Sequence, residues 1–131
     1  MKFITRDTDY AVRALSAIAR DKQKVVPVPK LVRDVRIPRP FLRKILQALQ
    51  KGGILKSYKG VGGGFSLSRP AGRIYLVEVI RIFQGDIELS ECFFKKRPCP
   101  NKASCRLRKR LKKIEKRLVV ELSGIAISDL L

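Results

Sequence analysis

Apolar residues recur at helical spacing in several stretches of the chain and alternate with polar ones in another. Ala11, Leu15 and Ile18 share one face of residues 8–20, with Val12 and Ala14 beside them, which predicts a first helix capped by Thr8. Asp9 then sits in the first turn, where a carboxylate suits the helix dipole. Residues 21–28 turn polar and then β-branched and read as a loop. Pro29 suits the first turn of a second helix over residues 29–35. Ile37 and Pro38 make a break. Pro40 fits the first turn of a third helix over residues 39–51, and Gly52-Gly53 ends it. Its apolar set is Phe41, Leu42, Ile45, Leu46 and Leu49, with Phe41 assigned to the core rather than to a thymine methyl.

The alternating stretch follows. Ile54-Leu55-Lys56-Ser57-Tyr58 and Phe65-Ser66-Leu67-Ser68 flank Lys59-Gly60-Val61-Gly62-Gly63-Gly64, which predicts a β-hairpin with a glycine-rich tip. A short helix, a tight turn, a longer helix and then a hairpin make a winged helix-turn-helix. The rival reading of the glycines is a nucleotide-phosphate cradle. It lacks the Gly-Lys-Ser/Thr ending and a following helix.

Residues 75–84 read as a buried helix ended by Gly85. Residues 86–104 have weak periodicity, contain Pro98 and Pro100, and read as a loop. Over residues 103–122, Leu107, Leu111, Ile114, Leu118 and Leu122 recur at spacings of 4, 3, 4 and 4, close to a coiled-coil seam. So narrow a stripe needs a partner. Its own domain is one choice, and a second copy of the chain is the favoured one. The expected fold class is mainly α with a small β-hairpin wing, completed by a long C-terminal dimerisation helix. Residues 1–85 form the DNA-binding part, 86–105 a cysteine-bearing loop and 106–131 the dimerisation helix and tail, within one compact unit.

Charge and cysteine content sharpen this picture. Thirty Lys and Arg against eleven Asp and Glu leave a net charge of +19, which points to nucleic acid. No membrane-spanning apolar run, signal peptide or lipidation motif is present, so a membrane partner is not expected and the cytoplasm is. From Lys30 to Lys59 there are nine basic residues and one acidic one, Asp34. Arg39 and Arg43 lie four apart on one face of the third helix, and either can present a fork to guanine. Lys30, Arg33 and Lys44 are expected to meet phosphates. Pro40 belongs to the same helix entry, and Gly60, Gly62 and Gly63 allow the wing backbone to approach DNA. Two such helices related by a two-fold would read a palindromic double-stranded operator. Without histidine or a nucleophile–base pair, an enzyme is not expected. Cys92, Cys99 and Cys105 are the only cysteines, and an odd count favours metal ligation or thiol chemistry over a disulfide framework.

The stretch Ile-Pro-Arg-Pro-Phe-Leu-Arg-Lys-Ile-Leu from Ile37, then Gly-Gly-Ile-Leu-Lys-Ser and Lys-Gly-Val-Gly-Gly-Gly-Phe-Ser-Leu, closely resembles the Rrf-type winged-helix regulators typified by IscR and NsrR. Thr8-Asp9-Tyr10-Ala11-Val12-Arg13-Ala14-Leu15 is similar to that family's first helix, and Val77-Glu78-Val79-Ile80 and Ile127-Ser128-Asp129-Leu130-Leu131 also fit. The resemblance implies a homodimeric transcription factor, expected to be a repressor. It also implies a 2Fe-2S or 4Fe-4S cluster on the three cysteines, sensing redox state, nitric oxide, iron or cluster supply. It places Lys59 in the minor groove. Two departures stand out. The cysteines are separated by six and five residues rather than five and five, and Arg108 stands where IscR-like members carry a histidine. In the NsrR-like pattern a first-helix aspartate from the other subunit completes the site, and Asp9 aligns with it. Glu91, water or an open iron position are the alternatives. Zinc fits less well, because close cysteine pairs and four protein ligands are lacking. A cluster-free repressor responding to a metabolite, a protein partner or thiol oxidation is the other functional reading. At Arg43 the IscR-like pattern has glutamate, so its base preference does not carry over.

Overall fold

The computed structural model describes every residue except Met1, Glu91, Cys92, Lys95 and Lys96, with the backbone alone at Phe93 and Phe94. Among the described residues there are five α-helices: α1 (Arg6–Arg20), α2 (Val28–Val35), α3 (Arg39–Lys51), α4 (Leu76–Gln84) and α5 (Arg106–Ser123). β1 (Leu55–Tyr58) and β2 (Gly64–Leu67) form an antiparallel hairpin, with Leu55 opposite Leu67 and Tyr58 opposite Gly64. A two-residue ladder, β3 (Phe93–Phe94) with β4 (Arg97–Pro98), lies inside the stretch expected to be irregular. The architecture is a mainly α winged helix-turn-helix followed by a long helix. Among the described residues no helix is long and apolar enough to cross a membrane.

One apolar cluster holds the first four helices and the wing together. Leu15 of α1, Leu31 of α2, Leu42, Leu46 and Leu49 of α3, Ile54 before β1, and Val79 of α4 are all buried in it. Two expectations fail here. Phe41 is exposed, because Leu42, Ile45, Leu46 and Leu49 define the buried stripe and Phe41 lies about 100° off its centre. Its ring instead lies under the Arg6 guanidinium, 5.4 Å from the ring centre. Thr8 does not cap α1. Thr5 does, while Thr8 is fully buried and donates its hydroxyl to Gln84 Oε1 at 2.7 Å.

The turn between α2 and α3 is made by Arg36 at φ 56°, the one described non-glycine residue with positive φ. After α5 the chain returns to the entry of α4. Leu76 N–H donates to Ile125 O, and Ile127 N–H donates to Ile74 O, both at 2.8 Å. Ile127 then inserts into the main core, fully buried. A second, smaller cluster of Val77, Ile80 and Leu122, with Leu118 against it, joins α4 to α5.

Candidate nucleic-acid interface and cysteine segment

The outer face of α3 is mainly polar, because its large apolar residues other than Phe41 turn to the core. Arg39, Pro40, Arg43, Lys44, Gln47 and Gln50 are all exposed. Arg39, Arg43 and Gln47 follow at four-residue steps and so line one face. The two glutamines were not singled out from the sequence, though Gln47 lies one helical turn from Arg43. An amide can pair with adenine as a guanidinium pairs with guanine.

The wing stands beside this face. A cleft of about 470 Å³ opens between them, lined by Arg43, Gln47 and Gln50 on one side and by Tyr58, Lys59 and Gly60 on the other. Gly60 and Gly62 take positive φ, and Gly63 N–H donates to Gly60 O at 3.0 Å to close the tip. Val61 stands fully exposed at that tip. The root of the wing is fastened by a residue placed in a loop on sequence grounds. Val26 N–H donates to Phe65 O at 2.8 Å, and Phe65 N–H donates to Val26 O at 3.0 Å. Gly64 permits this approach, since a Cβ there would lie 2.1 Å from Val26 O. Val25-Val26 was the sequence signal for the pairing, but its partner lies far along the chain.

The cations expected to meet phosphates differ in availability. Arg33, Lys44 and Lys59 are exposed. Lys30 is already engaged, with its ammonium 2.6 Å from Asp21 Oδ2. That contact holds the Asp21 carboxyl below its usual value, helped by the Gln23 N–H at 2.9 Å and opposed by burial.

Of the three cysteines, Cys92 lies outside the described residues, as does Glu91. Cys99 and Cys105 are partly exposed free thiols. Cys99 O accepts from Lys102 N–H at 3.0 Å, opening the turn that leads to α5. Cys105 is the N-cap of α5, and its Sγ accepts the Arg108 N–H at 3.4 Å, at the positive end of the helix. The Arg108 side chain folds back, donating to Lys102 O at 3.4 Å. Asp9 is half exposed on α1 and pairs with Arg13 at 3.0 Å. Among the described residues of one protomer, no three Cys, Asp or Glu side chains converge as a metal site. The donor chemistry fits an iron–sulfur group, since thiolates are its ordinary ligands. A complete ligand set within the described part of one chain does not form.

Glu115 was missed by the sequence reading. It is buried on a helix that is mostly basic and exposed. Its Oε1 accepts the Leu89 N–H at 3.0 Å, and its Oε2 lies 3.2 Å from Lys112 Nζ. It therefore fastens the segment leading to the cysteines onto α5. The apolar seam of α5 is divided. Leu118 and Leu122 pack on α4, while Leu107 and Ile114 are 67% and 46% exposed.

Residues 4–131 match the Rrf2 family, described as "Iron-dependent Transcriptional regulator". Protein aau3 of Rhizobium meliloti (strain 1021) is 34% identical over 97% of this chain and 83% of its own length. The HTH-type transcriptional repressor NsrR of Streptomyces coelicolor is 28% identical over 97% of this chain and 86% of its own. Among solved structures, T. potens IscR superposes with a TM-score of 0.75 at 21% identity, covering 99% of this chain and 85% of that one. CymR, the global cysteine regulator of B. subtilis, gives 0.70 at 20% identity, covering 99% and 96%. The chain belongs to the Rrf2 family of transcriptional regulators, which are DNA-binding proteins rather than enzymes.

Proposed function

We propose that the protein is a homodimeric, cytoplasmic repressor whose affinity for a palindromic operator is set by an iron–sulfur cluster on Cys92, Cys99 and Cys105. Asp9 of the second subunit is the fourth ligand. Residues 1–85 serve as the reading head, 86–105 as the sensor loop and 106–131 as the dimerisation helix and tail. The observation that carries the reading is the joint placement of two devices. A basic cleft lies between α3 and the wing, and a cysteine caps the helix that follows the sensor loop.

Arg39 and Arg43 read base edges from α3, with Pro40 setting the helix entry. Arg33 and Lys44 hold phosphates, with Lys30 joining them only as far as its pairing with Asp21 allows, and Lys59 enters the minor groove with the Gly60, Gly62 and Gly63 backbone close behind. Two-fold symmetry spaces the half-sites about one helical turn apart. Leu107 and Ile114, exposed in one protomer, are the seam for the second. A bound cluster supplies a group that oxygen, nitric oxide or iron loss dismantles. Cys99 and Cys105 bracket a short turn, so ligation of both fixes that turn against the start of α5. Asp9 lies on the exposed side of α1, while Ala11 and Leu15 of the same helix belong to the core that also holds α3. A restraint on Asp9 therefore reaches the reading helix through a single rigid element.

The second reading is a cluster-free regulator switched by thiol oxidation, and the partly exposed free thiols of Cys99 and Cys105 favour it. Anaerobic isolation separates the two. The proposal expects coloured protein, a Mössbauer signature altered by Asp9→Ala, and operator affinity that changes when the cluster is removed. Protein that never takes up a chromophore from iron and sulfide, yet binds DNA in a thiol-dependent manner, establishes the second reading instead.

A further inference from the structure

Helix α5 carries a feature that neither the reading head nor the seam uses. Residues 106–114 include six cations and no acid. Arg106, Lys109, Arg110, Lys113 and Arg117 fall within about 100° of arc on one face. All five are exposed, and none forms an ion pair with a described residue. Four of them line a shallow groove of about 330 Å³. The stripe lies opposite buried Glu115, which faces the domain, and about 115° from the centre of the Leu107–Leu118 seam.

This arrangement works against the helix that carries it. Like charges at i,i+3 and i,i+4 repel, as at Arg106 with Lys109 and Arg110, and at Lys113 with Lys109 and Arg117. The first turn has no acidic residue and holds cations at the positive end of the helix dipole. A solvated surface helix ordinarily mixes signs, and this one has turned its central acid inward. An external anion that spans the stripe removes the repulsion.

We propose that the stripe is a second phosphate-binding surface, taking the backbone of double-stranded DNA outside the operator. Arg106 to Arg117 spans roughly 17 Å of helix, which faces about five phosphates of one strand at 3.4 Å of axis per phosphate. Five cations meet them. α5 has no aromatic residue on which unstacked bases could lie, which favours duplex phosphates over single strands. With the apolar seam given to the second protomer, charge alone remains on this face, so a lipid surface has no apolar anchor there. The inference rests on the DNA-binding reading and adds to it a sequence-independent hold on flanking DNA.

The test is a fluorescence-anisotropy titration of the full chain across salt concentrations, with operator selected from a random library and with a long random-sequence duplex. The triple variant K109Q/R110Q/K113Q is compared with wild type and with Arg43→Ala. The triple variant is expected to bind the random duplex about tenfold more weakly at low salt. Its log–log salt slope should be shallower by about 2.7, at 0.9 for each of three phosphates. Its thermal midpoint is expected to be unchanged or raised and its oligomeric state unchanged. Arg43→Ala is expected instead to narrow the gap between operator and random duplex. An unchanged slope in the triple variant overturns the stripe while leaving the reading head intact. So does a loss confined to anionic vesicles or single-stranded RNA, or a loss of oligomerisation. Absence of duplex binding by wild type overturns both readings.

Discussion

The two halves of the molecule are built to different standards of self-sufficiency. In residues 1–85 α1 and α3 give full apolar stripes to a shared core that Leu31 of α2 and Val79 of α4 complete, and the largest core side chains there are fully buried. In α5 only Leu122 among the apolar residues is buried, and Leu107, Ile114 and Val120 face outward. The first half is complete within one chain. The second is held by a thin junction with α4, a backbone clip at its far end, and the Glu115 carboxylate. The exposed start of α5 can therefore shift when a partner covers it, while Ile127 keeps the far end of the arm seated in the core of the first half.

The sharpest way to break this comparison sets Leu46→Ala against Ile114→Ala. The first should cost about 2–5 kcal/mol at every protein concentration in urea denaturation. The second should cost little in an isolated protomer, and if the proposed dimer seam includes Ile114 the loss should depend on protein concentration. If both losses are independent of concentration, the arm is complete in one chain and the contrast fails.

Glu115→Ala probes the junction itself. Losing the acceptor for the Leu89 N–H should cost about 1–3 kcal/mol. Amide hydrogen exchange should rise at residues 86–90, while α1 and α3 keep their protection. Exchange that rises equally in α3 would show that the halves unfold as one.

Arg36→Gly acts in the opposite direction. Relieving a left-handed non-glycine residue should stabilise the reading head by about 1 kcal/mol, or roughly 3–5 °C in the thermal midpoint. A lower midpoint would mean that the Arg36 side chain contributes more than its backbone costs.

The smallest effect belongs to Asp21. Its pKa is lowered on folding by Lys30 and the Gln23 N–H, so its contribution is fully present above the unfolded carboxylate pKa. It is lost as pH falls through the lower folded value. The stability gap between wild type and Asp21→Asn should therefore close on acidification and stay flat from neutral pH down to about pH 5. A gap that opens in acid contradicts the assignment. Freeing Lys30 should also modestly strengthen binding to non-specific duplex DNA at low salt.

Much of the first half was legible in the sequence because its signals are local. Stripe spacing placed α1 and α3, a largely apolar run ended by Gly85 placed α4, Pro29 and Pro40 marked helix entries, and glycines marked the wing tip. Three of the errors share one cause, which is a partner distant in sequence. Thr8 has the chemistry of a cap, but Gln84 reaches it across 76 residues and Thr5 takes the cap. Val26 reads as loop until Phe65 pairs with it. Glu115 is one charge among many until Leu89 arrives. Phe41 is different, since the helical angle that excludes it from the core was readable. For the candidate interface, the exposed face carrying Arg39 and Arg43 and the wing beside it were readable from residue type and position. Gln47 and Gln50 were passed over because uncharged amides carry no electrostatic signal. For the cysteines, residue type pointed to metal ligation or thiol chemistry, but no local pattern says which other groups would join them.

The burial of Ile127 has a bearing on biosynthesis. A nascent polypeptide emerging from the ribosome can wind its first four helices early, yet the pocket they leave among α1, Ile74 and their neighbours stays unfilled until residue 127 is out. Premature termination anywhere within α5 would therefore yield a frayed head rather than a trimmed but intact one.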